Sequence, residues 1–297
     1  MIYIDSFNYL TKHFPDGTQM HLNLPVCNPK DRITIRWEYE SDEELVTLWY
    51  IVNHYRQNFH KGGFTLEMPY VPNARMDRVH SETEIFTLKH FCSLINLMQF
   101  DRVEISDPHS NITPALLNNV VVHGALPYVV KTLLYIAEDE FFADDKKEIV
   151  IYFPDYGAYH KYHEEYLKKI PAMLEGTFAE GMKVHYIYGK KVREWETGKI
   201  LGLEIANEQN VDLTNKVVLM ADDIISYGGT MYYGAKKLKE MGAGTVYAYA
   251  THVEKSVTDE EKGTLLRALN DKTVEKLFHS DSLYPGYHER IIEITLD

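Results

Sequence analysis

Cysteine is nearly absent from this chain: Cys27 and Cys92, far apart, are the only two among 297 residues. A disulfide framework is therefore excluded, and a reducing, cytoplasmic setting is expected. No apolar run approaches the ~18 residues of a membrane span. The start, Met-Ile-Tyr-Ile-Asp, has neither the basic nor the long apolar region of an export signal. Positive charge is also scarce, with 31 Lys+Arg against 44 Asp+Glu and a formal charge of −13. A surface that acidic repels a phosphate backbone, so neither nucleic acid nor an anionic membrane is an expected partner. The chain holds no GxxxxGK[ST], which excludes a Walker loop, and no GxGxxG, which weakens a dinucleotide-binding reading. It has no repeat of about 20–50 residues and no low-complexity tract, so solenoids and propellers drop out.

What remains is the balance of an ordinary globular protein, 45% hydrophobic and 25% charged. The length suits two domains at roughly 150 residues each. Short apolar runs predict buried strands at 64–68, 102–106, 148–153, 184–188, 216–220 and 245–250. Between them, helical spacing predicts helices over Leu45–Arg56, over Glu84–Met98 with Ile85, Leu88, Phe91, Leu94 or Ile95, and Met98 on one stripe, and over Met231–Met241 with Gly242 as its C-terminal glycine. Strands alternating with helices of this length predict an α/β fold with mainly parallel sheets. The charged stretch 137–147 is the expected linker, giving domains of 1–140 and 141–297.

Three predicted strands run into acid: the first into Asp107-Pro108-His109, the second into Pro154-Asp155-Tyr156-Gly157, the third into Ala221-Asp222-Asp223. Ligands of open α/β sheets bind beyond the carboxyl ends of strands. Carboxylates there accept hydrogen bonds from sugar hydroxyls or hold Mg²⁺ beside phosphates. The plainer alternative is that these acids end strands and cap the next helix. After the third strand, Ser226-Tyr227-Gly228-Gly229-Thr230 leads into a helix. Two glycines let the backbone approach a ligand, and amides at a helix start face an anion.

Val217–Ala235, VVLMADDIISYGGTMYYGA, resembles the phosphoribosyl-pyrophosphate loop shared by type I phosphoribosyltransferases and ribose-phosphate pyrophosphokinases. Further segments separate the two families. YVPNARMDR at 70–78 resembles the pyrophosphokinases' YxPYARQDR, DRVEISDPHS at 101–110 their DRVxTxDxHs, and FPDYGAYHKY at 153–162 their SPDxGGxxRA. GKKVRE at 189–194 stands where they carry KRR, and HFPDGTQMHLN at 13–23 resembles FSDGExxVxI. Order and spacing agree from about residue 13 to His252.

The resemblance implies two tandem type I phosphoribosyltransferase-like domains, each with a mainly parallel sheet flanked by helices. The nucleotide segments lie in the first domain and the ribose-phosphate loop in the second. It implies transfer of the diphosphoryl group of ATP to the 1-hydroxyl of ribose 5-phosphate, with Mg²⁺ as cofactor and a homodimer or larger homo-oligomer as the assembly. Arg75, Met76 and Asp77 fall at the ATP segment, and Phe14 and Asp16 would serve the adenine pocket of a neighbouring subunit. His109 and Asp155 would bind Mg²⁺ and its phosphates, and Lys191 and Arg193 would stabilise the transferring group. Asp222 and Asp223 would hold the ribose hydroxyls, and Ser226, Tyr227, Gly228, Gly229 and Thr230 the sugar phosphate.

The chain departs from the pattern at Met76, where the family has glutamine, at Thr18, where it has glutamate, and at Ser226-Tyr227-Gly228-Gly229-Thr230, where it has Asp-Thr-Ala-Gly-Thr. Tyr227 either packs on its own loop or offers a ring to a larger acceptor such as ADP-ribose. A non-catalytic regulatory relative is the alternative from another class. Away from these segments, His160 and His163 read as polar residues of a surface helix, since no HExxH completes a zinc site. Cys92 reads as core.

Overall fold

The computed structural model describes residues 1–21, 23–28, 30–58, 61–141, 148–193, 200–283 and 286–296. Two compact units divide the chain, Met1–Gly124 and Ala125–Asp297.

The first unit opens with strands β1 (Ile2–Ile4) and β2 (Phe7–Tyr9), then a small hairpin, β3 (Lys12–His13) and β4 (Gln19–Met20). It continues through β5 (Ile33–Trp37), α1 (Glu43–Gln57), β6 (Phe64–Met68), α2 (Thr87–Leu97), β7 (Arg102–Ser106), α3 (Ile112–Leu116) and β8 (Val120–His123). Its sheet has the order β2-β1-β5-β6-β7-β8. The run from β5 to β8 is parallel, while β1 is antiparallel to both neighbours. Alternation along each strand sets the faces: Ile33, Ile35, Trp37, Leu66, Met68, Val103 and Ile105 pack with Leu48, Ile51, Leu88 and Phe91 of the helices. On α2 the inward residues are Leu88, Phe91, Cys92 and Ile95. Leu94 is exposed, so of the two candidates for that turn Ile95 carries the stripe. Cys92 is core, and burial pushes its thiol up to about 11.

The second unit contains α4 (Leu126–Phe141), β9 (Glu148–Phe153), α5 (Tyr156–Leu174), β10 (Lys183–Arg193), β11 (Ile200–Ala206), β12 (Val217–Ile225), α6 (Gly229–Glu240), β13 (Val246–Val253), α7 (Thr264–Asn270), β14 (Leu277–His279) and β15 (Ile291–Glu293). The sheet order is β11-β10-β9-β12-β13-β14-β15. Every pairing is parallel except the β10–β11 hairpin. A parallel sheet covered on both faces needs strands that are largely apolar, and β9 after Glu148 and β13 up to Ala250 are so. Ile149, Ile151 and Phe153 enter the core shared with α4 and α5. Val150 and Tyr152 enter the opposite core, shared with α6 and α7.

The expected linker differs from this arrangement. Its first residues, 137–141, close helix α4, whose buried stripe Val129, Val130, Leu133, Ile136 and Ala137 packs on the second unit's sheet. Contacts therefore divide the chain after Gly124, ahead of the expected 140/141 boundary; residues 142–147 lie outside the described residues. Strand ends differ as well. β12 runs on to Ile225 because β13 continues beside it, with Asp222 opposite Ala250 and Ile224 opposite His252. Asp222 and Asp223 thus lie within the carboxyl-terminal half of a strand rather than at the start of a loop. Gly242 does follow α6 with φ +93, as the sequence implies.

Candidate active site

In the second unit the chemistry gathers at the carboxyl ends of β9 and β12. Asp223 is buried, and its amide donates to Asp222 Oδ1 over 2.9 Å. Burial first, then the charge of Asp223, holds the Asp222 carboxyl well above the ordinary carboxylate range, and Asp155 adds to the same push. Carboxyl oxygens set side by side in this way suit the pair to accept hydrogen bonds from hydroxyl donors.

The segment that follows is fixed by its backbone. The Ile225 carbonyl accepts from the Glu254 amide at 2.8 Å, and the Tyr227 carbonyl accepts from the Thr264 amide at 2.9 Å, the Leu265 amide at 3.1 Å and Thr264 Oγ1 at 2.8 Å. Gly228 sits at φ +80, where a β-carbon would also stand 2.2 Å from Cβ of Leu265. Conformation and space both demand glycine there. Helix α6 then starts at Gly229 with no side-chain cap bond. Orphan amides and the positive end of the helix dipole make such a start favourable for an anion. Ser226 and Gly229 flank this start half-buried, and Thr230 is exposed in its first turn. The Tyr227 ring is 42% exposed, so it does not bury itself in its own loop.

Asp155 caps α5, its Oδ1 accepting from the Ala158 amide at 3.1 Å. The capping role weighed from the sequence is therefore present, and it leaves the acid at the mouth of β9. Lys191 and Arg193 lie on β10, opposite Leu203 and Ile200 of β11; their side chains lie outside the described residues. On α5, His163 is not a surface residue: its ring stacks on Tyr159 at 4.4 Å and meets Tyr186 edge-on at 4.9 Å, and burial lowers its pKa.

In the first unit, Asp77 lies beyond β6, only 5% exposed. It accepts from Arg78 Nε at 2.9 Å. Burial works to raise its pKa, but hydrogen bonds from Arg78 and Ser110 and the charges of Arg78 and His109 bring it below the ordinary value. Asp77 and His109, far apart in sequence, are thus brought together, with His109 half-buried just past β7. Arg75 and Met76 are exposed on the turn before Asp77, where the Met76 amide donates to the Asn73 carbonyl at 2.8 Å. Phe14 and Asp16 occupy the tip of the β3–β4 hairpin. Asp16 Oδ1 accepts from the Thr18 hydroxyl at 2.7 Å and amide at 3.0 Å, and these bonds lower its pKa, so Thr18 braces the turn. The Phe14 ring is exposed. Gln19 and His13 tie the hairpin to Glu43 at the start of α1.

One strand-end acid has an unexpected backbone, and one further residue, Tyr152, was not legible as a site member. Asp107 is buried with a left-handed φ of 39, a costly conformation for a non-glycine residue that clusters at functional positions. Tyr152 on β9 is fully buried against Gly234 of α6. Among the described residues, no three or more His, Cys, Asp or Glu side chains converge as a preformed metal cage. Mg²⁺ needs none, because it keeps several waters and leans on one or two carboxylates plus substrate phosphates. Asp155 offers the oxygen donor that this chemistry prefers. No helix among the described residues is long and apolar enough to cross a membrane.

Two parallel sheets flanked by helices, with a glycine-bearing strand-to-helix turn after a paired-acid strand, define the class: a tandem type I phosphoribosyltransferase-like fold. The structure is similar to that of phosphoribosylpyrophosphate synthetase from Mycobacterium smegmatis, with a TM-score of 0.69 and 18% identity over 96% of this chain and 85% of that one. The sequence is 27% identical over 252 residues to ribose-phosphate pyrophosphokinase of Pyrococcus furiosus, 82% of this chain and 77% of that protein. It is 26% identical over 248 residues to the protein of the same name from Saccharolobus solfataricus, covering 82% and 75%. No family model matches the chain. Over about four fifths of its length the chain is thus similar to enzymes named ribose-phosphate pyrophosphokinase, and it shares their fold.

Proposed function

We propose that this protein makes phosphoribosyl pyrophosphate: Mg²⁺-dependent transfer of the diphosphoryl group of ATP to the 1-hydroxyl of ribose 5-phosphate, releasing AMP. The observation that carries the reading is the Asp222–Asp223 pair running directly into the Gly228 turn and the uncapped start of α6. Acids for sugar hydroxyls and amides for a phosphate stand there in the order in which a ribose phosphate presents those groups.

In this reading the 1-hydroxyl oxygen attacks the β-phosphorus, and the bond from that phosphorus to the α,β-bridging oxygen breaks. Phosphoryl transfer asks mainly for positioning and charge neutralisation. Asp222 and Asp223 orient the ribose hydroxyls, and Ser226, Gly228, Gly229 and Thr230 hold its 5-phosphate, with Tyr227 at the rim. Arg75 and Asp77 hold the nucleotide, with Met76 beside them and Phe14 and Asp16 serving a neighbouring subunit of a homo-oligomer. Lys191 and Arg193 supply positive charge to the transferring group. His109 and Asp155 would hold Mg²⁺, which when bound spreads the phosphates' negative charge. In a chain of net charge −13, such local cations are what makes a polyphosphate substrate acceptable. The exposed Tyr227 ring supports a second reading, the same transfer to a larger acceptor such as ADP-ribose.

AMP release from ATP and Mg²⁺ tests the proposal, with ribose 5-phosphate, ADP-ribose or no acceptor, and Lys191→Ala as control. AMP formed only with ribose 5-phosphate and abolished in the variant is the expected result. AMP formed only with ADP-ribose replaces the acceptor. No AMP in any arm overturns the enzyme reading in favour of a regulatory relative.

A further inference from the structure

Between Gly189 of β10 and Gly234 of α6, one buried side chain has no role in the proposed reaction. Tyr152 on β9 is 0% exposed, and its hydroxyl has no hydrogen-bond partner among the described residues. A hydroxyl buried in this way gives up its bonds to water and gets none back, so phenylalanine would be the more stable residue if packing alone decided. The surroundings are nevertheless shaped to this ring. Tyr152 stands opposite Met220 of β12 and Ile187 of β10. Strand side chains repeat every second residue, so Asp222 and Gly189 are the next residues on the same face of those neighbours. A β-carbon on Gly189 would stand 2.6 Å from the Tyr152 hydroxyl, and one on Gly234 of α6 would stand 3.0 Å from Cε1 of its ring and 3.3 Å from that hydroxyl. Two glycines therefore leave the space that the phenol occupies, and the diagonal neighbour on the remaining side is an acid. Burial first, then the charges of Asp155 and Asp222, push the phenol's pKa up, which keeps it a hydrogen-bond donor. Asp222 Oδ1 accepts from the Asp223 amide at 2.9 Å.

We propose that Tyr152 is a positioning residue of the ribose-phosphate turn: when a ribose phosphate is bound, its hydroxyl donates to the Asp222 carboxylate and fixes that group toward the sugar. The inference rests on the reading of Asp222 as an acceptor of ribose hydroxyls. It gives a role to a buried hydroxyl that has no partner among the described residues and to the space that Gly234 leaves beside it; Gly189 is required as well by the Pro154 carbonyl, 2.5 Å from where its β-carbon would stand.

The test compares Tyr152→Phe, Asp222→Asn and the unaltered protein by calorimetric titration with ribose 5-phosphate and by thermal unfolding. Tyr152→Phe is expected to weaken ribose 5-phosphate binding about tenfold, the worth of one charge-assisted hydrogen bond, with a midpoint of unfolding unchanged or raised. Weakened binding in Asp222→Asn but unaltered binding in Tyr152→Phe would reduce Tyr152 to a filler and overturn the inference alone. A lowered midpoint in Tyr152→Phe would show a structural partner for the hydroxyl and overturn it as well. Unaltered binding in both variants would remove the reading of Asp222, and the inference with it.

Discussion

Both units place an aspartate beyond or at the end of a parallel strand, Asp77 buried and Asp222 half-buried, and the two acids live in opposite fields. Asp77 in the first unit is gripped by Arg78, Ser110 and the charge of His109, and its carboxyl is held below the ordinary range in spite of burial. Asp222 in the second unit has acids as its charged neighbours, Asp223 and Asp155, and burial and their charge hold it high. The difference matches the two kinds of substrate. A carboxylate facing a polyphosphate must first be neutralised, and there it serves to anchor cations. A carboxylate meant for sugar hydroxyls works better without a competing cation, because it then has lone pairs to offer. In the proposed reaction, one fold used twice would thus serve two chemistries through the charges set beside one residue type.

The strongest way to break this contrast is to remove the acid pair. The double variant Asp222→Asn/Asp223→Asn should lose about 10²–10³-fold in kcat/KM for ribose 5-phosphate, from the loss of two charge-assisted bonds, while the KM for ATP stays within about threefold. Steady-state kinetics varying each substrate separately would show it. An equal loss on the ATP side would dissolve the division of labour. Gly228→Ala comes next. A residue forced to φ +80 with its β-carbon 2.2 Å from Leu265 should cost about 3 kcal/mol. That corresponds to a fall in Tm of about 6–12 °C at this size, read by calorimetry. Asp77→Asn should raise the KM for ATP about tenfold and leave ribose 5-phosphate affinity alone.

The pH dependence separates the two acids by sign. Asp77 has a depressed native pKa, so its contribution to stability is present above its unfolded value and is lost as pH falls through the native one. Asp222 has a raised native pKa, so the folded state holds the proton that the unfolded state has released, and stability falls as pH rises across that window. Asp222→Asn removes that slope. It should raise Tm near neutral pH by about 2–4 °C, on the order of 1 kcal/mol, even as it damages ribose binding; thermal melts at pH 5 and pH 7 would decide. The smallest effect belongs to Tyr227→Ala. The Tyr227 carbonyl, not its ring, ties the turn to α7, so the KM for ribose 5-phosphate should change by less than about threefold. A larger change with ADP-ribose would sharpen the comparison in favour of a bulkier acceptor.

Much of this arrangement could be read along the chain. Strands such as β6, β7 and β9 are continuous apolar or alternating runs, and their predicted bounds coincide with the observed ones. The Asp-Asp and Gly-Gly signals of the ribose turn are local, and so is the glycine after α6. What was not legible depends on distant pairing. The extension of β12 through Asp222 to Ile225 needs β13 beside it, and the α4 stripe needs the second sheet before 137–141 reads as helix rather than linker. Asp107 could be read as a strand-end acid, but its left-handed φ could not be read from the run of residues around it. Tyr152, Gly189 and Gly234 belong to three elements, and only the register of β9 with its neighbours brings them to one face.

Phosphorus NMR of the complete reaction tests the central claim most directly, following ATP, Mg²⁺ and ribose 5-phosphate together. The account predicts that AMP and a diphosphate bonded to C1 of the ribose 5-phosphate appear in equal amounts, with no ADP. ADP with a singly phosphorylated sugar, or an inert mixture in assembled protein, would contradict it.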